Sequence, residues 1–79
     1  MNELTTNLNK IHTTPLGIMR IKKNLELETN DVVDWCKKKT KSADDIIRKG
    51  KNWYVHAGDS VITINARSYT IITAHKKID

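Results

Sequence analysis

The spacing of hydrophobic residues changes near residue 50. Before that point Ile18, Ile21 and Leu25 recur three and four residues apart, which is typical of one face of a helix. Over residues 51–75 the spacing falls to two, which is typical of strands. Helices followed by a sheet predict an α+β fold, with two to three helices packed on one face of a three-stranded antiparallel meander.

The helical part is predicted over residues 14–49. Thr14 can cap a helix that begins at Pro15, because proline has no N–H to leave unpaired in a first helical turn. Residues 1–12 are polar and show no periodicity. We therefore expect them to form a flexible tail, either frayed or weakly helical.

Two further helices are expected before the sheet. The first would be capped by Asn30 or Thr29 and carries Lys37–Lys39 in its last turn, where the helix dipole favours cations. The second is short and runs from Ala43 to Lys49. Gly50 would end it as a C-terminal cap.

Two turns divide the remaining chain into strands. Gly58-Asp59 places glycine where a type II′ hairpin turn requires it, and Ala66-Arg67 is a second candidate turn. The predicted strands cover about 51–57, 60–65 and 68–75.

These turns fix which side chains share a face, because residues opposite each other in a hairpin point the same way. We expect an inner, apolar face of Trp53, Val55, Ile62, Ile64, Tyr69 and Ile71. The outer face would carry Tyr54, His56, Val61, Thr63, Thr70 and Ile72. A register slip of one residue would exchange the two sets and bury more polar groups.

Size, charge and cysteine content narrow the class of protein. The 79 residues suffice for one small domain, and the net charge is +5. Such a charge favours nucleic acid, an anionic membrane surface or an acidic protein as partner, although solubility alone also accounts for it. The single Cys36 excludes an internal disulfide, so we expect a cytoplasmic protein. No stretch resembles a signal peptide or a membrane span.

Three blocks of the chain carry a family resemblance. The segments HTTPLGIMRIKKNL (His12–Leu25), RKGKNWYV (Arg48–Val55) and ITINARSYTIITAHK (Ile62–Lys76) resemble the signature blocks of a family of short uncharacterised bacterial proteins. The resemblance covers residues 12–77. It implies relatives of unknown function and supplies no catalytic residues.

A second resemblance concerns layout alone. Helices followed by a small antiparallel sheet that ends in YTIITAH are similar to small ribonuclease toxins of the barnase, colicin and RelE type. That resemblance implies basic and histidine residues working on an exposed sheet face. A shared arrangement of helices and strands does not by itself imply a shared function.

Two histidines are the candidate catalytic residues. His56 lies on the expected outer face with Tyr54 and Thr70, and histidine suits proton transfer near neutral pH. His75 lies near the same end of the sheet, but the register places it on the opposite face. The alternative for His56 is an ordinary solvated strand, and for His75 a frayed end of the chain.

The candidate nucleic-acid-binding residues combine an aromatic platform with cations. Tyr54 could stack a base, and Thr70 lies beside it. Lys51, Arg67 and Lys76 could neutralise phosphates if they share one surface. Helix stabilisation and solubility are the alternative role for the many lysines. The three scattered histidines and the lone cysteine predict no metal site, and we expect no cofactor.

These observations favour a small basic protein that binds nucleic acid, RNA rather than DNA, and that resembles a ribonuclease. The alternative is a protein-interaction module, such as an inhibitor or accessory factor from a mobile element, acting through its outer sheet face or sheet edge. A third hypothesis is a homodimer formed through the sheet edge.

Overall fold

A computed structural model describes residues 3–77 as helices on one face of a four-stranded antiparallel sheet. The helices are α1 (Glu3–Thr6), a 3-10 helix (Leu8–Lys10), α2 (Pro15–Asn24) and α3 (Val32–Lys41). The strands are β1 (Asp45–Lys49), β2 (Asn52–Ala57), β3 (Ser60–Asn65) and β4 (Ile71–Lys76), in that spatial order. The predicted α+β class is confirmed, whereas the predicted number of three strands is wrong by one.

The additional strand is β1, which replaces the expected third helix over Ala43–Lys49. It pairs antiparallel with β2, so that Ile46 lies opposite Val55 and packs, half-buried, on the core. Gly50 does not cap a helix: its φ of +62° places it in the tight turn between β1 and β2. Such a φ is available to glycine at little steric cost.

The hairpin at Gly58-Asp59 is confirmed, and it sets the faces of the central strands as predicted. Gly58 has φ +60°, and Val55 faces Ile62 across the pair. The buried set contains five residues predicted for the inner face: Trp53, Val55, Ile62, Ile64 and Ile71.

The connection from β3 to β4 is longer than the predicted two-residue turn. Tyr69 adopts a left-handed φ of +61° within it and does not belong to a strand. Its ring packs on Trp53, with the ring centroids 5.3 Å apart, so it still contributes to the inner face. Strand β4 therefore begins at Ile71, three residues later than expected.

An extra residue in β4 reverses the expected orientation of its second half. Thr63 pairs with Thr73 while the neighbouring Ile64 pairs with Ile71, which leaves Ile72 without an opposite residue. Such a β-bulge shifts the alternation of side chains by one position. His75 consequently points to the outer face rather than to the inner one.

The N-terminal segment is part of the core within residues 3–12, contrary to the expected tail over 1–12. Leu4 of α1 is fully buried and Ile11 is 2% exposed. His12 forms a parallel bridge with Thr70, in which the His12 N–H donates to the carbonyl of Tyr69. Two buried apolar anchors and a backbone bridge therefore hold this segment. Residues 1 and 2 lie outside the described part.

The helices begin at side-chain caps. The Thr14 hydroxyl accepts from the N–H of Gly17 at 3.0 Å, which confirms the predicted start of α2 at Pro15. Asp31, rather than the predicted Asn30 or Thr29, caps α3 by accepting from the N–H of Asp34. Both helices then cover the inner face of the sheet, with Ile21 and Cys36 fully buried beneath them.

Candidate nucleic-acid interface

The outer face of the sheet carries a shallow cleft beside an aromatic ring. Ile47 and Lys49 of β1 and Tyr54 and His56 of β2 line this cleft, whose volume is about 450 Å3. Tyr54 lies directly opposite Ile47 on one side and Thr63 on the other. Tyr54 and His56 thus point outward, as predicted. Lys49 places a cation beside them.

His56 and His75 lie in one row on the same face. His56 is opposite Val61, and Val61 is opposite His75. Two strand spacings separate the histidine Cα atoms by about 10 Å. The prediction that they point to opposite faces is wrong, because Ile72 bulges out of β4 and shifts His75 to the outer side.

Acidic residues cluster at the histidine end of this face. Asp45 is the cross-strand neighbour of His56, although no hydrogen bond or ion pair joins their side chains. Asp44 accepts from the N–H of Gly58 through its carboxylate at 2.8 Å, and Asp59 lies in the same turn. This end of the outer face is consequently less attractive to phosphate than the Lys49 end.

The opposite end of the sheet carries a basic cleft of about 550 Å3. Its cations are Arg48, Lys51 and Arg67, and Glu3 is the acidic residue in its lining. The cleft also includes Gly50, Asn65 and Ala66. Lys51 and Arg67, which are distant in sequence, are therefore brought to one surface, as the candidate assignment required.

Local hydrogen bonds fix the loops that present these cations. The Asn65 side-chain oxygen accepts from the N–H groups of Arg67 and Ser68 at 3.0 and 2.9 Å. The N–H of Ala66 donates to the Lys51 carbonyl at 2.7 Å and joins the two loops. Arg67 is exposed at the tip of this braced loop, so its guanidinium is available to a ligand.

Arg48 is held differently from the other cations. Its guanidinium carbon lies 5.6 Å from the centre of the Trp53 ring, which is a cation–π distance. Its Nε donates to the Gly50 carbonyl at 3.1 Å. Arg48 therefore has a structural role at the rim of the basic cleft.

Thr70 lies in the connection before β4, in a bridge with His12, rather than within a strand as predicted. Its hydroxyl lies 2.8 Å from the Ser68 hydroxyl and 3.1 Å from His12 Nε2. His12 Nδ1 must donate to the Lys10 carbonyl, since a carbonyl only accepts. In the neutral ring Nε2 then accepts from Thr70, and this network ties the N-terminal segment to the start of β4.

Lys76 is not among the described residues that line the two clefts. Its Nζ donates to Glu26 Oε2 at 2.6 Å, next to the end of α2. This hydrogen bond, with the attraction between the opposite charges, lowers the pKa of Glu26 and raises the pKa of Lys76. The cation is occupied by an intramolecular partner on the helical side of the sheet.

The buried thiol has no place in either cleft. Cys36 is fully buried on α3, and loss of solvation raises its pKa to about 12. A thiol in such surroundings is a weak nucleophile. Within residues 3–77 no cluster of three or more His, Cys, Asp or Glu side chains is arranged to hold a metal ion. None of the helices in this range has the length and apolar character that crossing a bilayer requires.

Sequence reasoning missed the contribution of β1. Ile47, Lys49 and Asp45 all line or border the outer face, although the sequence pattern predicts a helix there. The signal that could have placed them is the tight turn at Gly50-Lys51 followed by the alternation of Trp53 and Val55, which together indicate a hairpin.

Comparison with known proteins supplies a family. Neither curated proteins nor solved structures gave a significant match. A family model described as "Protein of unknown function (DUF3781)" matches residues 5–75. This confirms the expected resemblance to an uncharacterised family, while the similarity in layout to ribonuclease toxins stays a prediction. Since the match extends over most of the 79 residues, the chain belongs to the DUF3781 family.

Proposed function

We propose that this protein binds single-stranded RNA across the Lys49 end of the outer sheet face and the adjoining basic cleft. The observation that carries the proposal is the convergence of Lys51 and Arg67 in one cleft, close to the turn that follows Lys49. Tyr54 shares the second cleft with Lys49. An aromatic ring beside a cationic track is the usual means of binding single strands without base-specific contacts.

Stacking on Tyr54 is the first part of the binding mode. The ring borders a shallow, open cleft with an apolar floor from Ile47, which is 44% exposed. A flat base can lie against such a ring, whereas a duplex keeps its bases stacked inside the helix. This favours a single strand as the ligand.

Phosphate neutralisation is the second part. Lys49, Lys51 and Arg67 are exposed and surround one end of the sheet. Each phosphate contact to a single strand contributes about 0.7 to the slope of log K against log salt. Three contacts therefore give a slope of about −2.

Fluorescence anisotropy with a labelled single-stranded RNA tests this mode at several salt concentrations. Arg67→Ala should weaken binding and reduce the slope by about 0.7. Arg20→Ala is the matched control, because Arg20 is an exposed arginine on α2, away from both clefts. No binding at low salt, or equal effects of the two substitutions, contradicts the proposal.

The aromatic part has its own control. Tyr54→Ala should weaken binding at least about fivefold, since stacking on an aromatic ring contributes about 1–3 kcal/mol per base. Tyr54→Phe keeps the ring and should retain most of the affinity. Loss of affinity in both variants alike would point to the hydroxyl rather than to stacking.

RNA cleavage is a second candidate function, favoured by the single row of His56, Val61 and His75. In such a reaction His56 takes the proton of a 2′-hydroxyl, whose oxygen attacks phosphorus. The bond from phosphorus to the 5′-oxygen breaks, and His75 protonates that oxygen. His56→Ala should abolish cleavage of labelled RNA and leave most of its binding, because Tyr54 and the cations at the Lys49 end remain. Absence of cleavage, or cleavage that survives this substitution, rejects the candidate.

The proposal includes a cytoplasmic location, where RNA is abundant. The fully buried, unpaired thiol of Cys36 fits a reducing compartment.

A further inference from the structure

The open edge of the sheet at β1 leads to an inference that does not depend on RNA binding. We propose that β1 pairs antiparallel with β1 of a second copy of this chain, so that two sheets join into one of eight strands. β1 is the outermost strand on its side of the sheet. Unpaired strand edges are ready templates for another strand.

The two edges of the sheet differ in whether other parts of the chain form hydrogen bonds to their backbone. At β4 the N–H of Ile71 donates to the carbonyl of His12, and the Thr13 hydroxyl donates to the carbonyl of Ile71. The Asn24 amide donates to the carbonyl of Ala74 at 3.2 Å. These bonds block the β4 edge and leave β1 as the edge suited to a second strand.

The backbone of β1 presents donors and acceptors at alternate residues. The two-residue turn at Gly50-Lys51 closes the hairpin directly after Lys49, so Lys49 and Asn52 form a hydrogen-bonded pair. The odd-numbered residues of β1 therefore bond to β2. The N–H and C=O groups of Ile46 and Arg48 point to the open side.

A twofold axis at Ile47 gives these outward-pointing N–H and C=O groups hydrogen-bond partners in the second copy. It places Ile46 opposite Arg48 of the second copy, and these two residues exchange both backbone hydrogen bonds. The same pairing occurs again on the other side of the axis, which gives four hydrogen bonds. Ile47 then meets its own counterpart on the outer face, where it is now 44% exposed.

Charge complementarity supports this register. With the axis at Ile47, Asp45 of each copy lies opposite Lys49 of the other, which gives two such pairs. Both side chains point to the outer face. Opposite charges in cross-strand positions stabilise a sheet, and like charges destabilise it. If the axis lay at Arg48 instead, the two copies of Arg48 would lie opposite each other.

The pairing would join two outer faces into one continuous surface. The clefts lined by Ile47, Lys49 and Tyr54 border the edge of β1, so the two copies of that cleft would become neighbours across the twofold axis. A ligand held by one copy could then extend onto the second.

Sedimentation analysis of the full chain without nucleic acid tests the pairing. Wild type should show a monomer–dimer equilibrium. Asp45→Lys alone and Lys49→Asp alone each create two like-charge pairs and should weaken dimerisation at least about tenfold. An equimolar mixture of the two variants restores opposite charges in both pairs and should form a heterodimer. A monomeric wild type, or a mixture that does not associate, overturns the proposal.

A covalent test covers the case in which a charge substitution alters folding. Ile47→Cys should give a disulfide-linked dimer on mild oxidation, because the two Cα atoms would lie about 4.5 Å apart in a non-hydrogen-bonded pair. Ile72→Cys is the matched control, since Ile72 is 42% exposed on the strand at the other edge. Equal cross-linking of the two variants contradicts the pairing through β1.

Discussion

Replacement of Leu4 by alanine tests whether the N-terminal segment belongs to the folded core. Leu4 is fully buried and is one of the largest side chains with no exposure. Removal of a buried leucine side chain leaves a cavity and costs about 2–5 kcal/mol. A domain of this size has a total stability of roughly 4–12 kcal/mol. The single substitution should therefore remove a large fraction of the free energy of unfolding.

Urea unfolding followed by tryptophan fluorescence measures this effect, because Trp53 is buried in the same core. With a slope of about 1 kcal/mol per molar urea, the midpoint should fall by at least about 2 M. Leu16→Ala is the matched control: Leu16 is 71% exposed on α2, and its loss should change stability by less than about 0.5 kcal/mol. A shift for Leu4→Ala no larger than that control would refute the docking of this segment.

Three further predictions concern single side chains. Cys36 should resist a thiol reagent at pH 8 in the folded protein and react fully in denaturant, because burial raises its pKa to about 12; equal rates in both states would contradict its burial. Lys76→Met should raise the pKa of Glu26 towards its ordinary value in an NMR titration, since Lys76 lowers it in the folded protein. The folded pKa of Glu26 lies below the unfolded one, so the stabilisation is present above the unfolded pKa and is lost as the pH falls through the folded pKa; an unchanged titration would rule out the pair. Gly58→Ala should cost about 1–2 kcal/mol in thermal unfolding because φ is +60°, and Gly58→Asn should cost less.

The central hairpin could be predicted because its local signals agree. Gly58 occupies the turn position that needs a positive φ, and Trp53 and Val55 alternate with polar residues. Turn chemistry and side-chain period thus point to one register. The direction of Tyr54 and His56 follows from that register, and it was correct.

Strand β1 could not be predicted from the sequence because its local signals conflict. The adjacent Ile46 and Ile47 fit a helix face as well as a strand, and the stretch is only five residues long. Ser42 and Asp45 imitate the start of a helix. The pairing with β2 decides in favour of a strand, and that is a tertiary effect.

The position of His75 depends on a feature that short-range patterns do not reveal. Ile71 and Ile72 are both apolar and adjacent, so either could have continued the inner face. The structure uses Ile71 for the core and lets Ile72 bulge outward. The burial of Leu4 was missed for a related reason: a sparse apolar residue in a polar stretch has no period.

The most direct test of the proposed RNA interface is an NMR titration of the isotope-labelled protein with a short single-stranded RNA at low salt. The account predicts that amide signals of Lys49, Lys51, Tyr54 and Arg67 shift together, while those of α2 around Arg20 stay in place. No shifts, or the largest shifts on α2, would contradict the proposal that this end of the sheet binds RNA.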